Sequence, residues 1–170
     1  MKPFPSRKSP RLIGYDYTQA GAYFVTVCVH NRRPLFGEIQ QQVLHLNSAG
    51  DMVANWWAEL PKKYPGVLID AFVVMPNHMH GVVVLEDAGT NVANVPALPT
   101  VVGWFKAMTT NAYIRGIREA DWPPFEQSLW QRSFHDHIIR SEQSLNAICE
   151  YIDNNPARWV EDVFYLDATP

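Results

Sequence analysis

A chain of 170 residues with 47% apolar and 18% charged side chains has the size and composition of one globular domain, which excludes disordered and fibrous classes. A net charge of −3 counts against a nucleic-acid partner held by bulk positive charge. Two cysteines, Cys28 and Cys149, stand amid apolar neighbours and read as buried, reduced thiols rather than a disulfide framework or a zinc site.

The chain opens on a basic, proline-rich tail, residues 1–11, with no apolar stretch behind it. Neither a signal peptide nor a membrane anchor is expected, and the cytoplasm follows as the compartment. Residues 22–30 are β-branched and aromatic, with Tyr23, Val25, Val27 and Val29 on one face of a predicted strand. Over 47–60, Met52, Val53, Trp56, Trp57 and Leu60 recur at helical spacing. Ser48 with Asp51 resembles a capping box, and Pro61 is expected to stop that helix. Residues 67–75 are almost continuously apolar, as in a strand covered on both faces. Pro76-Asn77 supplies turn chemistry before a second apolar run over 78–85. These two runs predict an antiparallel hairpin at the centre of the sheet.

Residues 86–99 lose periodicity and read as a surface loop. A helix with the stripe Val101, Phe105, Met108 and Ala112 follows, and Trp122-Pro123-Pro124 marks an irregular connection. His135 to Arg140 reads as a short strand. Ser141 then caps a last helix with the stripe Leu145, Ile148, Cys149 and Ile152, ended by Pro156. Residues 157–170 form a C-terminal extension. The order strand, helix, strand, strand, helix, strand, helix predicts one α+β domain over residues 1–170. Its expected form is a ferredoxin-like or RRM-like sandwich, an antiparallel sheet with helices mainly on one face.

His78 and His80 lie two apart on a predicted strand, so both imidazoles leave the same face and can converge on one divalent ion. Spacing alone leaves them open to a second reading, a polar pair satisfied within the core. His135 and His137 repeat the spacing, with Asp136 between them as a possible outer carboxylate or phosphate contact. On the last helix Tyr151 falls on the flank of the apolar arc, and Asn155, four residues on, shares its side while Asn154 faces away. Geometry alone also allows Tyr151 as an amphipathic edge residue and Asn155 as a simple C-cap. The positive residues group as Arg7, Lys8 and Arg11, Arg32 and Arg33, Lys62 and Lys63, and Arg115 and Arg118. They form either a local basic surface or ordinary solvated charges.

The stretch Met75-Pro76-Asn77-His78-Met79-His80-Gly81 resembles the His-hydrophobic-His signature of single-tyrosine transposases. Trp130 to Arg140, then Tyr151-Ile152-Asp153-Asn154-Asn155-Pro156, is similar to the other half of that pattern. Gly14-Tyr15-Asp16-Tyr17, Tyr23 to Val27 and Asn31-Arg32-Arg33 also fit. The group resembled is the REP-associated tyrosine transposases, which process repetitive extragenic palindromes, and the likeness covers residues 11–160. It implies that His78 and His80 bind Mg²⁺ or Mn²⁺, that Tyr151 is the nucleophile and that Asn155 is a third ligand. It further implies a single-stranded DNA hairpin as partner, cut to leave a 5′-phosphotyrosine and a free 3′-hydroxyl, by a monomer or a homodimer.

The chemistry suits these residue types. A tyrosine hydroxyl, protonated at neutral pH, needs help to attack phosphorus, and a metal drawing charge from the phosphate oxygens supplies it. A covalent link keeps the phosphodiester energy, so strands exchange without ATP. Two rival readings share parts of the pattern: a hairpin-binding domain that no longer cuts, and a small hydrolase using His78, His80 and Asp70 or Asp136.

Overall fold

The computed structural model describes residues 12–87 and 94–165. The expected tail at 1–11 lies outside the described residues, as do the middle of the 86–99 loop and the end of the C-terminal extension. Strand β1 (Gly21–Cys28) is followed by a short hairpin, β2 (Gly37–Gln40) and β3 (Val43–Leu46), then helices α1 (Ser48–Ala58) and α2 (Leu60–Lys63). Strands β4 (Val67–Met75) and β5 (His78–Leu85), helix α3 (Leu98–Glu119), strand β6 (His135–Ile139) and helix α4 (Glu142–Asn154) complete the order. Pro156–Glu161 adds a 3₁₀ turn.

The four-stranded sheet runs β4-β5-β1-β6 and every neighbouring pair is antiparallel, the ferredoxin-like arrangement expected from the element order. The hairpin β4–β5 forms with its two-residue Pro76-Asn77 turn, Met75 pairing with His78. It is not the centre of the sheet, however: β4 is an edge, and β5 with β1 makes the middle. The crossover through α1 returns the chain beyond the place where β5 inserts.

Alternation along β1 and β5 divides the molecule into two faces. Tyr23, Val25, Val27, Met79, Val83 and Leu85 join Val53, Trp57, Val101 and Phe105 in the main core beneath α1 and α3. On the opposite face, Val82 and Ile139 pack with Ile152 of α4, and Phe24, Leu145 and Ile148 lie against them. Helices therefore cover mainly one face, and α4 alone crosses to the other.

Three local expectations are corrected. Asn47, one residue earlier than Ser48, caps α1: its side-chain oxygen accepts from the Gly50 N–H at 3.0 Å, and asparagine is as good a cap as serine. Pro61 does not stop the helical path, because it falls in the first turn of α2, where a missing N–H costs nothing. The buried stripe of α3 passes through Val101, Phe105, Thr109, Ala112 and Tyr113, leaving Met108 only half-buried. Ser141 caps α4 as expected, accepting from Ser144 N–H. Both cysteines are free, Cys28 buried and Cys149 partly exposed. No helix among the described residues is long and apolar enough to cross a membrane.

Candidate metal and nucleophile site

His78 and His80 open β5 on the α4 face and are almost fully buried, 0% and 1% exposed. Gly81 beside them is required by the other face, where a Cβ would lie 2.5 Å from Cζ2 of Trp57. The indole of Trp57 thus lies directly on the backbone of β5 and sets its height above the core.

The two imidazoles meet at Nε2, 3.0 Å apart. The orientation of His78 is fixed by Asn77, whose Nδ2 donates to the carbonyls of Arg32 and Phe164 at 3.1 and 2.9 Å. This leaves Asn77 Oδ1 to accept from His78 Nδ1 at 2.8 Å, so the proton sits on Nδ1 and Nε2 presents a lone pair. His80 Nδ1 meets the hydroxyl of Thr26 at 2.8 Å, a group that can donate or accept. With a proton on His80 Nε2 the pair forms one hydrogen bond. With that proton moved to Nδ1, both lone pairs face a shared point, the arrangement a divalent ion takes.

Tyr151 and Asn155 project from α4 toward the same spot. The Tyr151 hydroxyl lies 3.4 Å from His80 Nε2 and 3.4 Å from Asp162 Oδ2, with 41% of the residue exposed. Asn155 is 2% exposed and its Nδ2 donates to Asp162 Oδ2 at 2.8 Å. Its Oδ1 is buried with no hydrogen-bond partner.

Asp162 is the residue that sequence reasoning missed. Its Oδ2 stands 3.9 Å from His78 Nε2 and 4.0 Å from His80 Nε2. Among the described residues, His78, His80 and Asp162 make the one group of such side chains close enough to hold a metal ion. It arrives through the 3₁₀ turn after α4, where no periodicity announces which side chain turns inward. The described part of the expected C-terminal extension thus lies across the site. Phe164 packs against His78 at 4.7 Å between ring centroids, and Trp159 stacks on His78 at 5.9 Å.

The electrostatics match this enclosure. Burial, then the charge of neighbouring His80, holds His78 down to about 3 against the pull of Asp162. His80 is lowered too, chiefly by burial. Both are neutral at pH 7, the form that binds metal. Burial alone would raise Asp162, but contacts from His80, the Phe164 N–H and Asn155 outweigh it and hold the carboxyl below its ordinary value. Burial and the Asp162 charge raise Tyr151, so its hydroxyl keeps its proton.

The second histidine pair is not gathered into this group. His135 and His137 are exposed on the edge strand β6, on the α4 face, where they pair with Thr26 and Phe24. Asp136 pairs with Val25 and so faces the main core side. Asp70 is exposed at a bulge of β4, its carboxylate taken up by the Ala71 N–H at 2.9 Å. Neither carboxylate named for the hydrolase reading reaches the histidines; Asp162 does.

The family model described as IS200-like transposase matches residues 18–155. The chain belongs to the IS200-like transposase family. An uncharacterized protein of Haemophilus influenzae is 36% identical over 176 residues, covering 95% of this chain and 94% of its own length. A REP-associated tyrosine transposase of Escherichia coli is 24% identical over 149 residues, 86% of this chain and 74% of that protein. In fold, this IS200-like chain is similar to a solved REP-associated tyrosine transposase bound to a REP hairpin. The TM-score is 0.61 at 23% identity, over 88% of this chain and 74% of the other. The family match contains His78, His80, Tyr151 and Asn155 and ends before Asp162.

Proposed function

We propose that this IS200-like transposase cuts and rejoins single-stranded hairpin DNA through a covalent link between Tyr151 and a 5′ phosphate, with Mg²⁺ or Mn²⁺ bound at His78 and His80. The observation that carries the reading is the convergence of two neutral imidazole Nε2 atoms, 3.0 Å apart, with a tyrosine hydroxyl 3.4 Å from one of them. The two imidazoles are nitrogen donors that suit a transition-metal ion, and the oxygens beside them are donors that suit Mn²⁺ or Mg²⁺. Asp162 adds a carboxylate, and Asn155 Oδ1, buried without a partner, is the hard oxygen that the ion would satisfy. When bound, the metal draws charge from the phosphate oxygens and lowers the barrier to attack.

The chain's own residues supply the rest. Asn77 and Thr26 hold the two imidazoles, and Asn155 holds Asp162. The Tyr151 oxygen forms its bond to phosphorus as the bond from phosphorus to O3′ breaks. The tyrosyl proton passes to solvent, and the departing O3′ takes a proton from solvent. Rejoining is the reverse. Because a phosphotyrosine ester stands in for a phosphodiester, no nucleotide is consumed. The 3₁₀ turn and residues 162–165 cover the histidines, so a strand reaches them only when that segment yields.

The test is incubation with labelled single-stranded hairpin oligonucleotides and Mn²⁺, followed by denaturing electrophoresis. A metal-dependent protein-DNA adduct is expected. Cutting without any adduct would point to hydrolysis, and hairpin binding without cutting to a binding domain.

A further inference from the structure

Next to the histidine pair the chain holds an arginine in a strained position. β1 ends at Cys28, opposite His78, and the chain then passes through Asn31 and Arg32, both left-handed at φ 57° and 53°. Non-glycine residues take such angles uncommonly, in tight turns or where surrounding structure holds them. The holding group here is Asn77. One buried amide takes the Arg32 carbonyl with Nδ2 and orients His78 with Oδ1, so the arginine is tied to the histidine pair.

The guanidinium of Arg32 forms no ion pair among the described residues, whereas Arg158 is paired with Glu161. Its Nη1 donates to the carbonyl oxygen of Val163 at 3.3 Å, and its Cζ lies 5.5 Å from the centre of the Phe164 ring. A planar fork of donors beside a metal-ligand pair, with a lone carbonyl as acceptor, suits an anionic oxygen. The oxygen of Val163 stands where a phosphate oxygen would accept, and the ring of Phe164 where a base would lie. A cavity of 370 Å³ adjoins it, lined in part by Arg32, Asn77, Trp159 and Tyr165. Glu38 is the acid on that wall; it is exposed and accepts from Gln40 Nε2 at 2.9 Å.

We infer that Arg32 and the side of this cavity formed by Pro34, Gly37 and Pro76 form a subsite for one nucleotide of a single strand, entered when the covering segment yields, the guanidinium donating to its phosphate in place of the Val163 carbonyl and stacking on its base in place of Phe164. The inference rests on the strand-transfer reading. In that setting Arg32 offers donors to the non-bridging oxygens of a phosphate bound beside His78.

The test uses the full chain carrying Tyr151→Phe, so that no strand is cut. Binding of a fluorescent hairpin with a single-stranded 5′ extension is measured by anisotropy with Mn²⁺ at several salt concentrations. Arg32→Gln should weaken binding roughly tenfold and lower the salt slope by about one. Arg32→Lys should keep the slope and lose part of the affinity. Mn²⁺ affinity and melting temperature should stay at the parent's values in both. Unchanged affinity and slope in Arg32→Gln would overturn the subsite. So would a parallel loss of Mn²⁺ affinity in both variants, which would make Arg32 a support for Asn77 and His78. A parent that binds no hairpin sinks the strand-transfer reading itself, and the subsite with it.

Discussion

Replacing Tyr151 with phenylalanine removes one hydroxyl whose two contacts are both at 3.4 Å, near the limit of a hydrogen bond. The ring is 41% exposed and keeps its edge contacts with Phe24 and His80, at 6.1 and 5.3 Å between centroids. Neither loss leaves a buried group unpaired, since Asp162 keeps Asn155 and the Phe164 N–H. The expected change in stability is about 0.5 kcal/mol or less, or roughly 1–2 °C in Tm for a domain of this size. On the proposed reaction, cutting should fall by at least about 10³-fold, because the hydroxyl that would attack is gone while His78 and His80 remain. Calorimetry and single-turnover cutting of a labelled hairpin with Mn²⁺ measure the two quantities, and peptide mass spectrometry maps the adduct. Cutting that persists in Tyr151→Phe, or an adduct on Tyr113 or Tyr165, would refute the assignment.

Removing both imidazoles, His78→Ala with His80→Ala, should abolish Mn²⁺ binding by titration calorimetry; unchanged affinity would move the site, with the exposed His135 and His137 the next place to look. Gly81→Ala forces a Cβ to 2.5 Å from the Trp57 ring, which is itself fully buried. A loss of about 1–3 kcal/mol, seen as a lower Tm, is expected, and an unchanged Tm would show that the indole does not bear on β5. The histidine shifts also set a pH dependence for the metal-free protein. His78 is held at about 3 when folded against 6.5 as its ordinary value, so between these limits the unfolded chain binds more protons. Stability should therefore fall as pH drops below 6.5, with Asp162 adding a loss of the same sign below 3.8. The double alanine variant should lose the first part of that slope, and a slope identical to the parent's would place the titrating groups elsewhere.

Periodicity revealed what repeats. The hairpin of β4 and β5, the same-face placement of His78 and His80 and the shared side of Tyr151 and Asn155 all follow from counting by two or by four. What it did not reveal lies where counting has no purchase. The hairpin of β2 and β3 turns through Gln41 and Gln42, both left-handed at φ 49° and 65°, positions usually marked by Asn-Gly. Its strands are half-exposed and give no apolar signal. Asp162 reaches the histidines through a 3₁₀ turn with a kink at Arg158, and the carboxylates nearer in sequence to each histidine pair, Asp70 and Asp136, point elsewhere. The alternation that places Asp136 on the core side was visible in the sequence, but the register that decides which face holds the chemistry was not.

That register explains why a site of this kind sits on the two middle strands. Thr26 pairs with His80 and Cys28 with His78 across β1 and β5, so one strand carries the two histidines and its neighbour orients one of them. A slip of one residue would turn the imidazoles into the main core and Met79 to the face under α4. The main core resists that slip, because Val25, Val27 and Met79 are fully buried and Trp57 sits on Gly81. The histidine pair is therefore held by packing on the far face of the sheet. Tyr151 is placed differently: α4 rests on Val82 and Ile139 through Ile152, a much smaller cluster. On the proposed reaction this division is useful. The ions need fixed ligands, whereas a tyrosine that carries a strand from one partner to the next needs a seat that can adjust without disturbing them.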